Sequence, residues 1–274
     1  MLKARILTVI VILPLFLAAL FYLQDIFWAA LLLALTVIGA REWSNLAKFS
    51  VRNTILFMIL TTLIGGELLF TLSEAVQHNA YSSSLIWVYI LSVIFWIVGA
   101  PLFLQQSYMI KSPVLWMLTG WLLLIPTCLA LYQLRAISPL LLLGFMATIW
   151  ISDTAAYFTG RSFGKHKLAQ TISPNKTWEG VYGALIAVLM YGLIWDYWVV
   201  EESLATTLIP LLMVMTTLGI VGDLYESMLK RHAGVKDSGN IFPGHGGILD
   251  RIDALTATLP LAILALLVFY TPIS

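Results

Sequence analysis

Charge is what this sequence has least of. Only 11% of its 274 residues are charged and 60% are hydrophobic, whereas soluble domains carry roughly 25% charged and about half apolar residues. A soluble protein this apolar could not cover its surface with polar groups, so the expected solvent is a bilayer. Cysteine is almost missing too. Cys128 is the single thiol, which excludes an internal disulfide and a Cys/His zinc cluster; it reads as a small apolar packing residue. His78, His166 and His232 are scattered without ligand spacing. The formal net charge of +1 says little about partners, because the distribution of charge matters more than its sum; no nucleic acid is expected. Soluble domains, repeats and low-complexity linkers are lacking as well.

Long hydrophobic runs are abundant. The start, "MLKARILTVIVILPLFLAALFYL", has the basic head and apolar body of a secretory signal. No small-residue cleavage site with a polar continuation follows, so a retained first span is expected. A helix needs about 20 apolar residues to cross a hydrocarbon core of roughly 30 Å. On that ruler nine windows are candidates, with approximate limits 6–23, 26–41, 54–72, 85–104, 114–133, 138–159, 178–199, 204–222 and 254–272. The second is short, and "REWSNLAKF" would extend it as an interfacial helix with Trp43 at headgroup level. Backbone groups in lipid must be satisfied internally, so helices are the only elements expected. The fold class is therefore all-α, a polytopic membrane protein of about nine spans. It forms one domain over 1–274, with N-terminal spans in 1–137 and the chemistry in 138–274.

The basic residues set an orientation. With the N-terminus inside, fourteen of the fifteen lysines and arginines fall in cytoplasmic segments and only Arg135 falls outside, a strong positive-inside asymmetry. Two cytoplasmic segments, 160–177 and 223–253, are longer and richer than topology requires. Chemistry is expected there, at the cytoplasmic face of the inner membrane.

The second of these reads "GDLYESMLKRHAGVKDSGNIFPGHGGILDRID". Asp223, Glu226, Ser227 and Lys230 share one helical face. Asp250 and Asp253 pair likewise at the start of the last span, with Arg251 turned away. Between them Pro243, Gly244, Gly246 and Gly247 permit close backbone approach to a ligand. Carboxylates at two facing helix ends suit a Mg²⁺-phosphate site, because Mg²⁺ shares a few hard oxygens with substrate phosphates. Lys230, Arg231, Lys236 and Arg251 could neutralise remaining phosphate charge. His245 could bond phosphate or simply brace the loop. A loop that served orientation alone would need no acids, and this segment has Asp223, Glu226, Asp237, Asp250 and Asp253.

The first segment reads "WISDTAAYFTGRSFGKHKLAQTISPNKTWEG". Asp153 lies inside the sixth span, where an ionisable group is costly and functional by default, and Tyr157 follows on the same face. "GRSFGKH" resembles a phosphate loop but fails the Walker spacing. Lys165, Lys167 and Lys176 are candidates for holding a triphosphate from the side opposite a metal. Thr177 is a possible N-cap and Glu179 falls in the first turn of the next helix. Glu67, in "LIGGELLF", is read as a buried acid in a packed helix contact or dimer interface.

The run "SMLKRHAGVKDSGNIFPGHGGILDRID" resembles the signature of the phosphatidate cytidylyltransferases, with "SDTAAYFTGRSFGKHKL" and "ISPNKTWEGVYG" in support. The resemblance spans the C-terminal half; the first five spans match only in being hydrophobic. It implies transfer from CTP to phosphatidic acid, giving CDP-diacylglycerol and pyrophosphate. It also implies an all-helical, membrane-embedded homodimer among membrane lipids, and a metal pair of Mg²⁺ with K⁺ as candidate second cation. The metal carboxylates would be Asp223 and Asp250. The catalytic set would add Lys230, Arg231, Lys236, Asp237, His245, Arg251 and Asp253. Substrate would meet Asp153, Tyr157, Lys165, Ser173, Lys176, Glu179, Ser227, Gly246 and Gly247. The rival readings are a CTP transferase or CTP-dependent kinase for another lipid, such as an isoprenoid ether phosphate or polyprenol. A secondary transporter is a third, although it would show paired halves with matching interruptions, and no such symmetry is present.

Overall fold

Ser112–Pro113 and Ser138–Pro139 show how one span gives way to the next. Each serine oxygen accepts a backbone N–H three residues on, from Leu115 and Leu141, and each proline takes a first-turn position that needs no N–H. Two helices therefore start with one orphan donor capped by serine and another removed by proline. The computed structural model describes residues 2–78, 83–199, 205–242, 244 and 246–269. The helices are α1 (Leu2–Tyr22), α2 (Asp25–Leu46), α3 (Val51–Gln77), α4 (Ser83–Ile94), α5 (Ala100–Gln106), α6 (Pro113–Ile137), α7 (Pro139–Phe163), α8 (Trp178–Val199), α9 (Ala205–Ala233) and α10 (Leu249–Phe269). A π-helical turn, Phe95–Gly99, joins α4 to α5 as one span. Pro101 follows it and has no N–H for the carbonyl four residues back, which favours such a widened turn.

Among the described residues, eight helical spans are long and apolar enough to cross a membrane, and the apolar part of α1, Ile10–Tyr22, is shorter. Counted with α1, they coincide with the nine hydrophobic windows. The chain is an all-α, multi-pass membrane protein. One hairpin departs from the expectation of helices alone: β1 (Lys167–Ala169) pairs antiparallel with β2 (Ser173–Thr177), Lys167 opposite Thr177. It lies in the polar segment between α7 and α8, where the rule for backbone in lipid does not apply.

Two further expectations need correction. Trp43 is no headgroup anchor. It is 1% exposed, donates from Nε1 to the Trp116 carbonyl at 2.8 Å and sits edge-on to the Trp116 ring, because α2 continues to Leu46 inside the bundle. Glu67 is exposed rather than buried; the neighbouring contact is made by Gly65, which packs on Leu33 of α2. Arg135, the single base expected on the far side, has a structural role at the end of α1. Its guanidinium donates to the Leu20 and Leu23 carbonyls at the end of α1 and pairs with Asp25 at 2.7 Å. It thereby satisfies helix-end acceptors that have no partner within α1. Cys128 is a free, buried thiol as expected.

Two antiparallel helix pairs position the polar segments. α7 packs along α8, and α9 along α10. Gly183 makes the first pair possible, since a Cβ there would overlap the Thr159 side chain. At Gly222 a Cβ would come within 2.7 Å of the Asp253 carbonyl, so glycine lets α9 reach α10 just where both carry carboxylates.

Candidate active site

The C-terminal end of α7, the hairpin, the start of α8 and the C-terminal half of α9 enclose a cavity of about 300 Å³. That is the low end of the size range for small-ligand pockets. Asp153, Tyr157, Ser173, Lys176 and Asp223 are among its walls. Asp153 is mid-helix yet exposed to this space, which explains an acid within the span. Lys176 Nζ forms an ion pair with Asp223 Oδ2, and Ser227 donates to Asp223 Oδ1 at 3.2 Å. Lys176 thus stands on the expected metal carboxylate rather than across from it. Asp153 and Asp253 each lie within electrostatic range of Asp223. Like charges are gathered here, and Lys176 and Arg251 offset part of the repulsion at Asp153.

The hairpin is fixed to α8 by two side chains. Thr177 caps α8 by accepting the Gly180 N–H at 3.2 Å. Glu179, read from the sequence as a substrate contact, accepts from the His166 backbone N–H and meets His166 Nδ1 at 2.7 Å, so it ties β1 to the helix start. "GRSFGKH" is not a phosphate loop in shape: α7 runs through Phe163 and ends on Gly164. Lys165 and Lys167 are exposed on the hairpin side and do not line the cavity. Tyr157 accepts a hydrogen bond from Arg161 at 2.7 Å while still facing the cavity.

The second polar cluster joins α9 to α10. Lys230, 8% exposed, bridges Glu226 at 3.2 Å and Asp250 at 2.7 Å. The other Asp250 oxygen accepts from Ser238 N–H, Ser238 Oγ and the Gly247 N–H, at 2.8, 2.9 and 2.8 Å. The glycine loop closes tightly: Phe242 N–H donates to the Gly246 carbonyl, and Gly244 and Gly246 take positive φ of 75° and 80°, which favours glycine. Pro243 and His245 lie outside the described residues, so the reading of His245 stands apart from this geometry. Arg231 is exposed and donates to the Val235 carbonyl; Lys236, Asp237 and Arg251 are exposed around the same end.

The expected carboxylates are therefore brought to one end of the bundle, with Asp253 half-buried beside them. Among the described residues no group of three or more His, Cys, Asp or Glu is arranged to hold a metal. The donor chemistry of two residues fits Mg²⁺, which takes one or two carboxylates with waters and substrate phosphates: Asp223 and Asp250 offer hard oxygens, and each holds a lysine ammonium.

Two residues escaped the sequence reading. Glu42 of α2 is 4% exposed and accepts from the Ile248 N–H at 3.0 Å, the Leu249 N–H at 2.9 Å and Ser238 Oγ at 3.1 Å. Ser238 touches both Glu42 and Asp250. A usable signal existed for Glu42: an acid at the end of a span where orientation needs none.

Residues 3–269 match the cytidylyltransferase family. The chain is 35% identical over 281 residues to the phosphatidate cytidylyltransferase of Haemophilus influenzae, covering 95% of this chain and 96% of that protein. It is 36% identical over 269 residues to the phosphatidate cytidylyltransferase of Pseudomonas aeruginosa, 95% of each. A protein of the same name from Staphylococcus aureus (strain COL) is 49% identical over 113 residues, 41% of this chain and 44% of that one.

Proposed function

The chain belongs to the cytidylyltransferase family, and from that membership we propose that it joins CTP to phosphatidic acid, giving CDP-diacylglycerol and pyrophosphate. The carrying observation is similarity along 95% of the chain to proteins named for that activity. It is an enzyme of phospholipid synthesis, a nucleotidyltransferase, with CTP and phosphatidate as substrates.

A phosphate oxygen of the lipid attacks the α-phosphorus of CTP. The bond from that phosphorus to the bridging oxygen breaks, and pyrophosphate carries away the electron pair. Phosphatidate is already an anion at neutral pH, so the protein need supply no strong base. Positioning and neutralisation of charge carry most of such a transfer. In this reading the cavity beside α7–α9 takes the phosphates, and Lys176, freed from Asp223 when substrate enters, meets the triphosphate. Asp223 and Asp250 would hold Mg²⁺, which, when bound, polarises the reacting phosphate and offsets its charge. Lys230 and Ser238 fix the direction of Asp250, and Asp253 supports from behind. The family resemblance supports K⁺ as second cation and a homodimer.

The test is direct. Purified protein in detergent, given labelled CTP and phosphatidic acid, is expected to form CDP-diacylglycerol only when Mg²⁺ is present. Labelled product from another phosphorylated lipid, with none from phosphatidate, would move the chain to a different acceptor. We also propose that the N-terminus and the site face the cytoplasm across the inner membrane, on the fourteen-to-one asymmetry of basic residues. Reporter fusions at Ser274 and within 165–175 are then expected on opposite sides; signals from the same side would overturn that orientation.

A further inference from the structure

We infer that Glu42 is a positioning residue for Asp250, the point at which the N-terminal spans hold the reactive loop in register. The argument begins with the start of α10. Ile248, just before it, has no polar side chain to cap the helix, although the first N–H groups of any helix lack partners within it. Glu42 supplies that cap from 206 and 207 residues away, one oxygen to the Ile248 N–H and the other to the Leu249 N–H. A carboxylate there also meets the positive end of the helix dipole.

The loop is shaped around this group. A Cβ on either Gly239 or Gly247 would overlap the Glu42 carboxylate, so both glycines leave room for it. Ser238 Oγ lies 3.1 Å from Glu42 and 2.9 Å from Asp250, and its single proton can serve either. The Gly247 N–H goes to Asp250 while the next two N–H groups go to Glu42. Glu42 and Asp250 thus divide one set of loop donors between them. Asp250 can keep its direction toward Lys230 only while Glu42 holds the rest. Glu42 is 4% exposed and does not line the cavity, so its effect passes through Asp250.

The inference rests on the reading of Asp250 as a carboxylate of the reaction. The experiment compares wild type with Glu42→Gln, Ser238→Ala, their double variant and Asp250→Asn, all in detergent. Gln keeps one acceptor but turns an NH₂ toward the other amide. Hydrogen exchange of residues 238–250 is expected to quicken in Glu42→Gln while peptides from α3 and α6 stay protected. Its kcat is expected to fall about 10- to 100-fold, as for other groups that orient a ligand-bearing residue, with the KM for CTP little changed. Ser238→Ala should move the same readouts less, and the double variant should fall short of the summed effects, because the residues share one network. Faster exchange throughout the chain with activity lost in proportion would reduce Glu42 to a fold-stabilising residue. If Glu42→Gln does not fold, unchanged local exchange and kcat in Ser238→Ala overturn the inference. Full turnover in Asp250→Asn would instead defeat the underlying reading of Asp250, and loss there with normal Glu42 variants would defeat only this inference.

Discussion

Asp250→Asn is expected to lower turnover by about 10²-fold or more, the loss typical of removing one charge-stabilising group from a reaction centre, equivalent to about 2.7 kcal/mol of barrier. The side chain keeps its shape, but an amide cannot replace the carboxylate at both oxygens. Whichever way it turns, its NH₂ faces either the Lys230 ammonium or the donors from Ser238 and Gly247. In the first orientation Lys230 is left to Glu226 alone. Part of the loss will therefore come from a loosened loop as well as from missing charge. Rates taken at saturating Mg²⁺, beside a thermal midpoint, separate these contributions. Near-normal turnover in a well-folded variant would remove Asp250 from the reaction.

Much of this site was readable because its chemistry is local. Asp223, Ser227 and Lys230 fall at helical spacing, and α9 does place Ser227 against Asp223. Thr177 was readable as a cap for the same reason, since its bond to Gly180 spans three residues. What stayed hidden depends on distance along the chain. No periodicity links Glu42 to Leu249, and only the packing of α2 beside α10 brings them together. The partner of Glu179 was hidden for a related reason: a first-turn acid suits the helix dipole, and only the hairpin folds His166 back onto it. Trp43 shows the limit of composition. A tryptophan near the end of a span fits an interfacial belt as well as a core, and the Trp116 carbonyl decides the matter. Glu67 shows a similar limit, because a hydrophobic window does not reveal which helix face turns inward.

Asp223→Asn provides the cleaner test of charge. Its carboxylate is on the cavity wall with its side chain 33% exposed, so an uncharged isostere leaves no orphan deep in the core. The bond from Ser227 can still form to the amide oxygen. Folding should be nearly unaffected, while turnover falls about 10²-fold or more. Lys176 tells what that charge is for. If Lys176 and Asp223 only neutralise each other, replacing both should restore much of what either single change removes. If Lys176 instead leaves Asp223 to meet the triphosphate, Lys176→Ala should raise the KM for CTP more than that for phosphatidate. The pair Asp223→Asn/Lys176→Ala should then be no better than the worse single variant. Combining Asp223→Asn with Asp250→Asn should likewise cost little beyond the worse single change, since residues acting as one unit do not add. Two full, additive losses would mean that the carboxylates serve separate steps. Wild-type turnover of folded Asp223→Asn at saturating Mg²⁺ would show that its charge has no part in the transfer.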